Sequence, residues 1–378
     1  MGIHRGHKAR PVEWIAEKLI FTVSLTAILM VFLIFLFIGR EALPIFLGTM
    51  NSAATQEVIP VDQLETMKPE RLRAYLGLSE KEFKDMDQET RRAIMEVRVE
   101  AAKEASTNRD ASINTAAWRY LLRPFQWSDY DRPVYIWQPV STIHKYNIIP
   151  LIAGSLKTTL VALLFSVPVA LGAAVYVSQL ATPRLKELIK PAIELLSAIP
   201  SVVLGSFAML VLATVLQSLF GYQYRLNAFL AGLALGLAAI PVVFSIAEDA
   251  LTSVPAGYTQ AALALGASKW RAAWEIVLPA AIPGVFAAVI LGFGRCIGET
   301  MVVLIASGNA SILSWSLLDP CRTVTATIAA ELGETVVGGT HYRMLFMLGT
   351  LLFIVTFLTN LTGELVIGRL KARLEGGK

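Results

Sequence analysis

The sequence predicts an all-α membrane protein that crosses the bilayer with six helices and carries a long hydrophilic insert after the first of them. Of its 378 residues, 55% are hydrophobic and only 16% are charged, whereas about 25% of the residues of a soluble domain are charged. Apolar runs of roughly 18 residues or more, long enough to cross a bilayer as a helix, recur along the chain. The net charge of +4 fits cytoplasmic loops rich in lysine and arginine, which we favour over nucleic-acid binding.

The six predicted spans follow the apolar runs in chain order. They are residues 19–39, 151–178, 190–216, 227–247, 281–307 and 343–365. Basic residues precede the first run, as they would in a secretory signal peptide. That run is long for a signal peptide, however, and "NSAAT" at 51–55 lies too far beyond it to be a convincing cleavage site. We therefore predict an uncleaved first helix.

Basic residues between the spans predict the orientation. The segments after spans two, four and six carry several lysines and arginines, whereas the loop 308–342 carries Arg322 alone. Because basic loops stay in the cytoplasm, both termini are predicted to be cytoplasmic. The chain then divides into an N-terminus with the first helix (1–39), an extracytoplasmic insert (40–149), a core of five helices (150–370) and a cytoplasmic tail (371–378).

The insert 40–149 carries charges of both signs and is predicted to be solvated. "SEKE" at 79–82 is typical of a capping box, and "DQETRRAIMEVRVEAAKEAS" at 87–106 is typical of a helix. A small helical subdomain and a loosely ordered spacer both fit this pattern. The aromatic residues between 118 and 137 favour anchoring at the membrane interface over docking of an extracytoplasmic partner.

The loop between spans four and five, residues 248–280, is strongly patterned. It predicts two short helices separated by a turn near Gly266 and stopped by Pro279. Apolar residues such as Leu265 and Trp270 would face no bilayer there. An exposed apolar face on an ordered loop usually marks a partner site.

The spacing in this loop resembles the EAA loop of ABC-importer permeases. Gln260 stands where that family has glutamate, and the matching residues are Ala261, Ala262, Gly266, Ile276, Leu278 and Pro279. The resemblance implies that the loop inserts into a cleft on a separate ATPase subunit, without the charge contact at Gln260. A phosphate-binding loop needs Gly-Lys followed by Ser or Thr, and the sole Gly-Lys is Gly377–Lys378. We therefore expect a transport subunit that is not itself an enzyme.

Four further segments resemble the permease subunits of the phosphate-specific ABC importer, the PstC type more than the PstA type. They are residues 146–160, 194–210, 292–304 and 322–346, which contain Ile-Pro-Ser-Val-Val-x-Gly, Arg-x-Ile-Gly-Glu-Thr-Met and Thr-Ala-Thr-Ile-Ala-x-Glu-Leu-Gly-Glu. The resemblance covers residues 137–370. It implies the type I fold of ABC importer permeases and a multi-pass protein of the bacterial inner membrane that moves inorganic phosphate into the cell.

The resemblance also implies partners. These are a second, PstA-like permease subunit, two ATP-binding subunits, an extracytoplasmic phosphate-binding protein and membrane lipid, with no nucleic acid. ATP–Mg would bind to the partner subunits, and no cofactor is expected on this chain. No metal site is predicted, because Cys296 and Cys321 form neither a metal-ligand nor a disulfide pattern.

Arg295 and Glu299 place opposite charges four residues apart in the apolar fifth span. A charge at the bilayer centre costs about 2.5–3.5 kcal/mol on insertion scales, so these side chains should face a cavity or a partner. A guanidinium group suits a tetrahedral oxyanion. Arginine before glutamate is the less favourable order for a helical pair. We favour a substrate path over an ion pair that only fixes helix packing, and both remain open.

Other residues in the spans predict packing and helix breaks. Gly294 and Gly298 form a GxxxG step where another helix can approach closely. Pro200 and Gly205 mark a candidate broken helix, since backbone freed by proline is tolerated at membrane depth when it is buried or lines a cavity. A simple kink at Pro200 fits equally well. Glu331 and Glu334 fit docking of a binding protein, a gate or ordinary solvation.

Three alternatives to a phosphate permease fit part of the sequence pattern. A permease for sulfate, molybdate or phosphonate would use the same arginine chemistry. An ion-coupled secondary transporter should show inverted repeats and intramembrane carboxylates, and it would leave the patterned loop 248–280 unexplained. A regulatory protein that senses phosphate supply through the same partners is compatible with transport.

Overall fold

The computed structural model describes residues 11–375 except 51–58, 77, 79–82, 84–85, 108–109, 111–112 and 142. The predicted capping box at 79–82, the segment "NSAAT" and both ends of the chain lie outside the described residues.

Helices make up most of the described chain. In the N-terminal part they are α1 (Pro11–Phe46), α2 (Val61–Glu65), α3 (Pro69–Leu76), α4 (Gln88–Thr107) and α5 (Trp118–Leu122), followed by strands β1 (Trp137–Gln138) and β2 (Lys145–Tyr146), which pair antiparallel. The next helices are α6 (Ile149–Val175), extended by a π turn (Tyr176–Leu180), then α7 (Pro183–Leu196), α8 (Ser201–Phe207), a π turn (Ala208–Leu212) and α9 (Ala213–Phe220).

The remaining elements complete the helical core. They are α10 (Ala228–Thr252), α11 (Ala256–Ala264), α12 (Lys269–Arg271), a π segment (Ala272–Val277), α13 (Leu278–Ala280), α14 (Ile282–Gly298), α15 (Met301–Ala306), α16 (Val324–Glu331), a 3₁₀ turn (Leu332–Glu334) and α17 (Thr340–Glu375).

The transmembrane prediction agrees with the helices. Among the described residues, five helical stretches are long and apolar enough to cross a bilayer: 16–46, 149–180, 201–220, 228–252 and 340–370. The bent pair 269–280 and 282–298, with 72° between its halves, brings the number to six if it is counted as one span. The predicted helical membrane fold is therefore confirmed, with five spans, or six if the bent pair is one span.

Two predicted spans have the wrong bounds. The helix expected at 190–216 is interrupted before Ser201, so that α7 is a separate amphipathic helix and the crossing begins after Pro200. The helix expected at 281–307 ends at Gly298, and Pro279 does not stop the preceding helix, which runs on to Ala280. The bend falls at Ala281 instead.

Helices α6 and α10 form the centre of the core and meet through small residues. A Cβ atom built on Gly232 would lie 2.5 Å from Val161 Cβ, and one on Gly236 would lie 2.9 Å from Phe165 Cδ1. Without a strong hydrophobic driving force between helices in lipid, such close approach supplies van der Waals contact. Helix α1 lies outside this core and packs on α17, where the Phe35 and Phe353 ring centroids are 4.8 Å apart.

The insert contains two apolar clusters among its described residues. Helices α2, α3 and α4 enclose Leu64, Leu72, Leu76, Met95 and Val99, and α4 confirms the helix predicted at 87–106 to within one residue. Trp127 is buried in the second cluster with Ile136 and Ile143. Trp137 is buried in a cluster that also contains Leu151 of α6. Anchoring in lipid and partner docking, the two explanations offered for the aromatic residues, are both wrong for these two tryptophans, which fill the protein's own core.

Candidate functional site

The backbone unwinds at Glu299 and Thr300, between α14 and α15. Glu299 has extended dihedral angles (φ −72°, ψ 136°), and the next helix begins at Met301. Gly298 has a low helix propensity, and outside contacts satisfy the freed backbone: Thr325 Oγ1 donates to the Glu299 carbonyl oxygen at 2.9 Å. Unwound backbone in an apolar span requires such partners.

Arg295 and Glu299 meet at this break. Arg295 lies in the last turn of α14, where its positive charge favours the helix C-terminus, and its Nη2 atom is 3.6 Å from Glu299 Oε2. The arginine side chain is 50% exposed and the glutamate only 9%. Glu299 Oε1 also accepts from the Thr300 backbone N–H at 3.2 Å. The two charges thus lie together. The sequence suggested that Glu299 would lie one turn after Arg295 on a continuous helix, but Glu299 lies beyond the helix end.

A cavity of about 460 Å³ lies next to the break, on the side of α16. Its walls are formed by Thr300, Thr325, Ile328, Ala329, Leu332 and Gly333. The two threonine hydroxyls supply its polar side-chain groups, and the remaining walls are apolar. Sequence reasoning did not single out either threonine. The run Thr-Val-Thr-Ala-Thr at 323–327 was the available signal, since hydroxyl side chains recur there at the start of an apolar helix.

Among the described residues, no helix approaches the two predicted packing glycines as closely as a GxxxG step allows. A Cβ on Gly294 would be 3.7 Å from Asn360 Oδ1, an ordinary contact, and a Cβ on Gly298 would have no described atom within 4 Å. Gly205, by contrast, is packed closely against α15: its Cβ would lie 3.0 Å from Ile305 Cδ1 and 3.3 Å from the Met301 carbonyl oxygen. Pro200 precedes α8 with a ψ of 136°, outside the helical region.

Glu331, at the end of α16, is the centre of a buried polar cluster. Trp137 Nε1 donates to its Oε2 at 3.0 Å, Arg322 Nη1 donates to its Oε1, and His341 Nε2 lies 3.3 Å from Oε2. Burial raises the pKa of the Glu331 carboxyl, while the bonds from Trp137 and Arg322 act in the opposite direction. The cluster fixes the chain directly before Leu332 and Gly333 in the cavity wall. Glu334 is exposed.

The loop 248–280 presents an exposed apolar surface. Helix α11 ends before Gly266, whose φ of +85° suits the turn to α12, and Ser268 caps α12 by accepting from the Arg271 N–H at 3.3 Å. Leu265 is 90% exposed and Trp270 59% exposed. The residues that match the EAA pattern divide between this surface and its support: Ala261, Gly266, Ile276 and Pro279 are exposed, Leu278 is half-buried and Ala262 is buried. Gln260, which replaces the glutamate of the pattern, is also exposed.

No metal site was found within the described part of the chain, where no three His, Cys, Asp or Glu side chains gather as they would to hold an ion. Both cysteines are buried and free.

A comparison with known protein families identifies the chain. Residues 166–374 match the model of the family described as "Binding-protein-dependent transport system inner membrane component". The chain belongs to this family. As a permease of an ABC importer, it is a transport subunit and not an enzyme, it crosses the membrane several times, and it works with ATPase and substrate-binding subunits.

Individual permeases are similar to this chain over most of their own length. "Phosphate transport system permease protein PstC" of Xylella fastidiosa (strain Temecula1) is 36% identical over 259 residues, 64% of this chain and 78% of that protein. The protein of the same name from Pasteurella multocida (strain Pm70) is 33% identical over 261 residues, 64% of this chain and 80% of that protein. "Probable ABC transporter permease protein YqgH" of Bacillus subtilis (strain 168) is 32% identical over 223 residues, 59% of this chain and 72% of that protein. These relatives place the permease with the PstC type.

Solved structures of ABC transporters are also similar. The inward-facing MetNI methionine ABC transporter matches with 18% identity and a TM-score of 0.46, over 58% of this chain and 96% of that chain. An amino acid ABC transporter crystallised with histidines matches with 19% identity and a TM-score of 0.42, over 59% of this chain and 92% of that chain.

Proposed function

We propose that this permease forms part of the path by which inorganic phosphate enters the cell. The observation that carries the proposal is the similarity to proteins named PstC, which extends over 259 residues at 36% identity. The functional assignment in those names concerns phosphate, and the range that matches the family model, residues 166–374, contains the helix break.

The chemistry of the break supports an oxyanion as the substrate. Arg295 offers a charged fork of N–H donors, and the Thr300 hydroxyl offers a neutral donor on the cavity wall, whereas the Thr325 O–H is already donated to the Glu299 carbonyl oxygen. One guanidinium beside a neutral donor suits a transported ion, because a site must release its ion as well as bind it. In this proposal Arg295 holds phosphate transiently, and Glu299 orients the arginine.

The driving force comes from partner subunits. Two ATP-binding subunits would grip the surface around Leu265 and Trp270, bind ATP–Mg themselves and push the loop 248–280 as they close. This permease would pair with a PstA-like subunit, and an extracytoplasmic phosphate-binding protein would deliver the ion. The chain would lie in the bacterial inner membrane with both termini in the cytoplasm, and its spans would rock to expose the path alternately to each side.

Radiolabelled phosphate uptake tests the proposal. A strain that lacks the permease gene should recover uptake when it expresses this chain, and excess sulfate, molybdate or phosphonate should not compete. Competition by one of these ions at equal concentration would make that ion a further substrate, and a failure to restore phosphate uptake would exclude phosphate. Affinity purification of the tagged chain should bring down an ATP-binding subunit, and its absence would contradict the ABC mechanism for this chain.

A further inference from the structure

Glu248 is a buried carboxylate with no part in the site described above. It lies on α10, one turn before that helix ends at Thr252, and its side chain is 2% exposed. Lys186 Nζ is 2.8 Å from Glu248 Oε1, and Lys190 Nζ is 2.7 Å from Oε2. Thr252 Oγ1 donates to Oε1 at 3.1 Å. A buried carboxylate requires such compensation, and here three donors from two helices provide it.

Both lysines belong to α7, so Glu248 attaches this helix to the base of the loop 248–280, here called the coupling loop. The attachment also has an apolar part: Ile189 and Ile193 of α7 pack against a buried cluster that contains Leu251 of α10. The same cluster includes Val277, which lies in the loop 248–280 itself. Helix α7 and the coupling loop therefore share one core.

The other end of α7 leads to the helix break. Four residues, 197–200, join α7 to α8, and the N–H groups of Val203 and Leu204 bond the carbonyl oxygen of Pro200 at the start of α8. Gly205 of α8 packs on Ile305 and on the Met301 carbonyl oxygen of α15. Helix α15 begins directly after Thr300, which lines the cavity. Direct contacts thus connect the coupling loop to the cavity wall through α7.

We propose that Glu248 is a positioning residue that transmits movement of the coupling loop to the break at Glu299–Thr300, with α7 as the connecting helix. This rests on the proposed function, which makes the loop the contact for the ATPases. When the loop is displaced, the two ion pairs carry α7 with it, and α8 shifts against α15. Packed interiors deform little, so helices held in this way move as units.

The test measures coupling and not activity alone. The permease carrying Glu248→Gln is assembled with its second permease subunit and ATPases in proteoliposomes, and phosphate uptake and ATP hydrolysis are measured on the same vesicles with the binding protein. We expect the phosphate moved per ATP to fall about tenfold, within the roughly 5- to 150-fold range of allosteric coupling. The basal ATPase rate and the amount of assembled complex should stay unchanged.

Matched variants serve as controls for Glu248→Gln. The two lysines are tested in the Glu248→Gln background, where no buried carboxylate is left unpaired. Adding Lys186→Met and Lys190→Met to Glu248→Gln should cause little further loss, because contacting groups are not additive. Glu187→Gln makes the same charge change at an exposed position of α7 and should leave the ratio at the wild-type value.

Two results would overturn the proposal. One is a wild-type ratio of phosphate to ATP in Glu248→Gln. The other is a parallel loss of uptake, ATP hydrolysis and assembled complex, which would make Glu248 a folding residue only. Failure of the proposed function is distinguishable from both, because wild-type vesicles would then take up no phosphate.

Discussion

Replacing Arg295 should reduce phosphate transport while the permease still folds. The arginine side chain is half-exposed, and its guanidinium lies 3.6 Å from the Glu299 carboxylate. Exposed ion pairs contribute about 0–1 kcal/mol to stability, and this pair should contribute somewhat more, because the Glu299 side chain is only 9% exposed. After the change Arg295→Ala, Glu299 keeps the bond from the Thr300 N–H at 3.2 Å. The variant should therefore fold and co-purify with its partner subunits at close to the wild-type level.

The loss of transport should be much larger than the loss of stability. A hydrogen bond to a charged group has a net value of about 1.5–3 kcal/mol. Because every 1.4 kcal/mol corresponds to a factor of about ten, one such contact to a phosphate oxygen represents roughly a 10- to 100-fold change. Two contacts from the guanidinium fork would increase it further. We expect phosphate uptake by Arg295→Ala to fall at least into this range.

The assay is initial-rate uptake of labelled phosphate, normalised to the amount of assembled complex. Arg295→Lys is the matched control: it keeps the charge and loses the planar fork, so its rate should lie between those of the wild type and the alanine variant. Uptake by Arg295→Ala at the wild-type rate would refute the anion-path role, and the ion pair with Glu299 would then serve packing alone. A loss of assembly equal to the loss of uptake would refute it as well.

Three further predictions follow from the described contacts. Leu265→Asp puts a charge on the exposed apolar surface of the loop and should abolish co-purification of the ATPase, whereas Leu265→Met should retain it. Equal binding of the ATPase by both variants would exclude this residue from the interface. Gly232→Ala should lower the free energy of unfolding of the purified permease by about 1–3 kcal/mol, because the new Cβ would overlap Val161. Gly172→Ala, with no neighbour within 4 Å, should be tolerated, and equal melting temperatures of the two variants would contradict this packing. The raised pKa of Glu331 means that its carboxyl binds a proton more readily in the folded than in the unfolded state, so its contribution to stability is present at low pH and is lost as the pH rises through the raised pKa. Melting temperatures of the wild type and of Glu331→Gln should therefore diverge as the pH increases above the ordinary carboxyl range, and parallel curves would show that the shift is absent.

The sequence predicted the spans well because a helix that crosses the bilayer must be long and apolar, and the hydropathy of the sequence shows both properties. It predicted the coupling loop for a similar reason: exposed apolar residues beside Gly266 form a local pattern. The break at Glu299 was missed because it depends on a partner far along the chain. Thr325 satisfies the freed Glu299 carbonyl, and the intervening loop gives no sign that the two meet.

Buried polar clusters were equally hard to predict. Trp137 and Glu331 are 194 positions apart, yet the indole donates to the carboxylate at 3.0 Å. The aromatic run around Trp137 matched the pattern of a membrane interface, and only the tertiary fold turns it inward. Glu248 gave a local signal, since a glutamate near the end of an apolar span implies a partner, but its lysines could not be chosen from the sequence.

The two buried thiols make the permease suitable for site-directed labelling. Cys296 and Cys321 are each 2% exposed, and burial raises the pKa of the Cys321 thiol to about 11, so little reactive thiolate forms near neutral pH. A single cysteine introduced at Val140 in the insert, which is 88% exposed, or at Leu265 would thus react with a maleimide above a low background. With the proposed orientation, a membrane-impermeant reagent applied to intact cells should label position 140 alone. Opened vesicles from which the ATPase has been removed should label both positions, because the ATPase would cover position 265. The same two positions can then report distances and movement in the insert and in the loop 248–280.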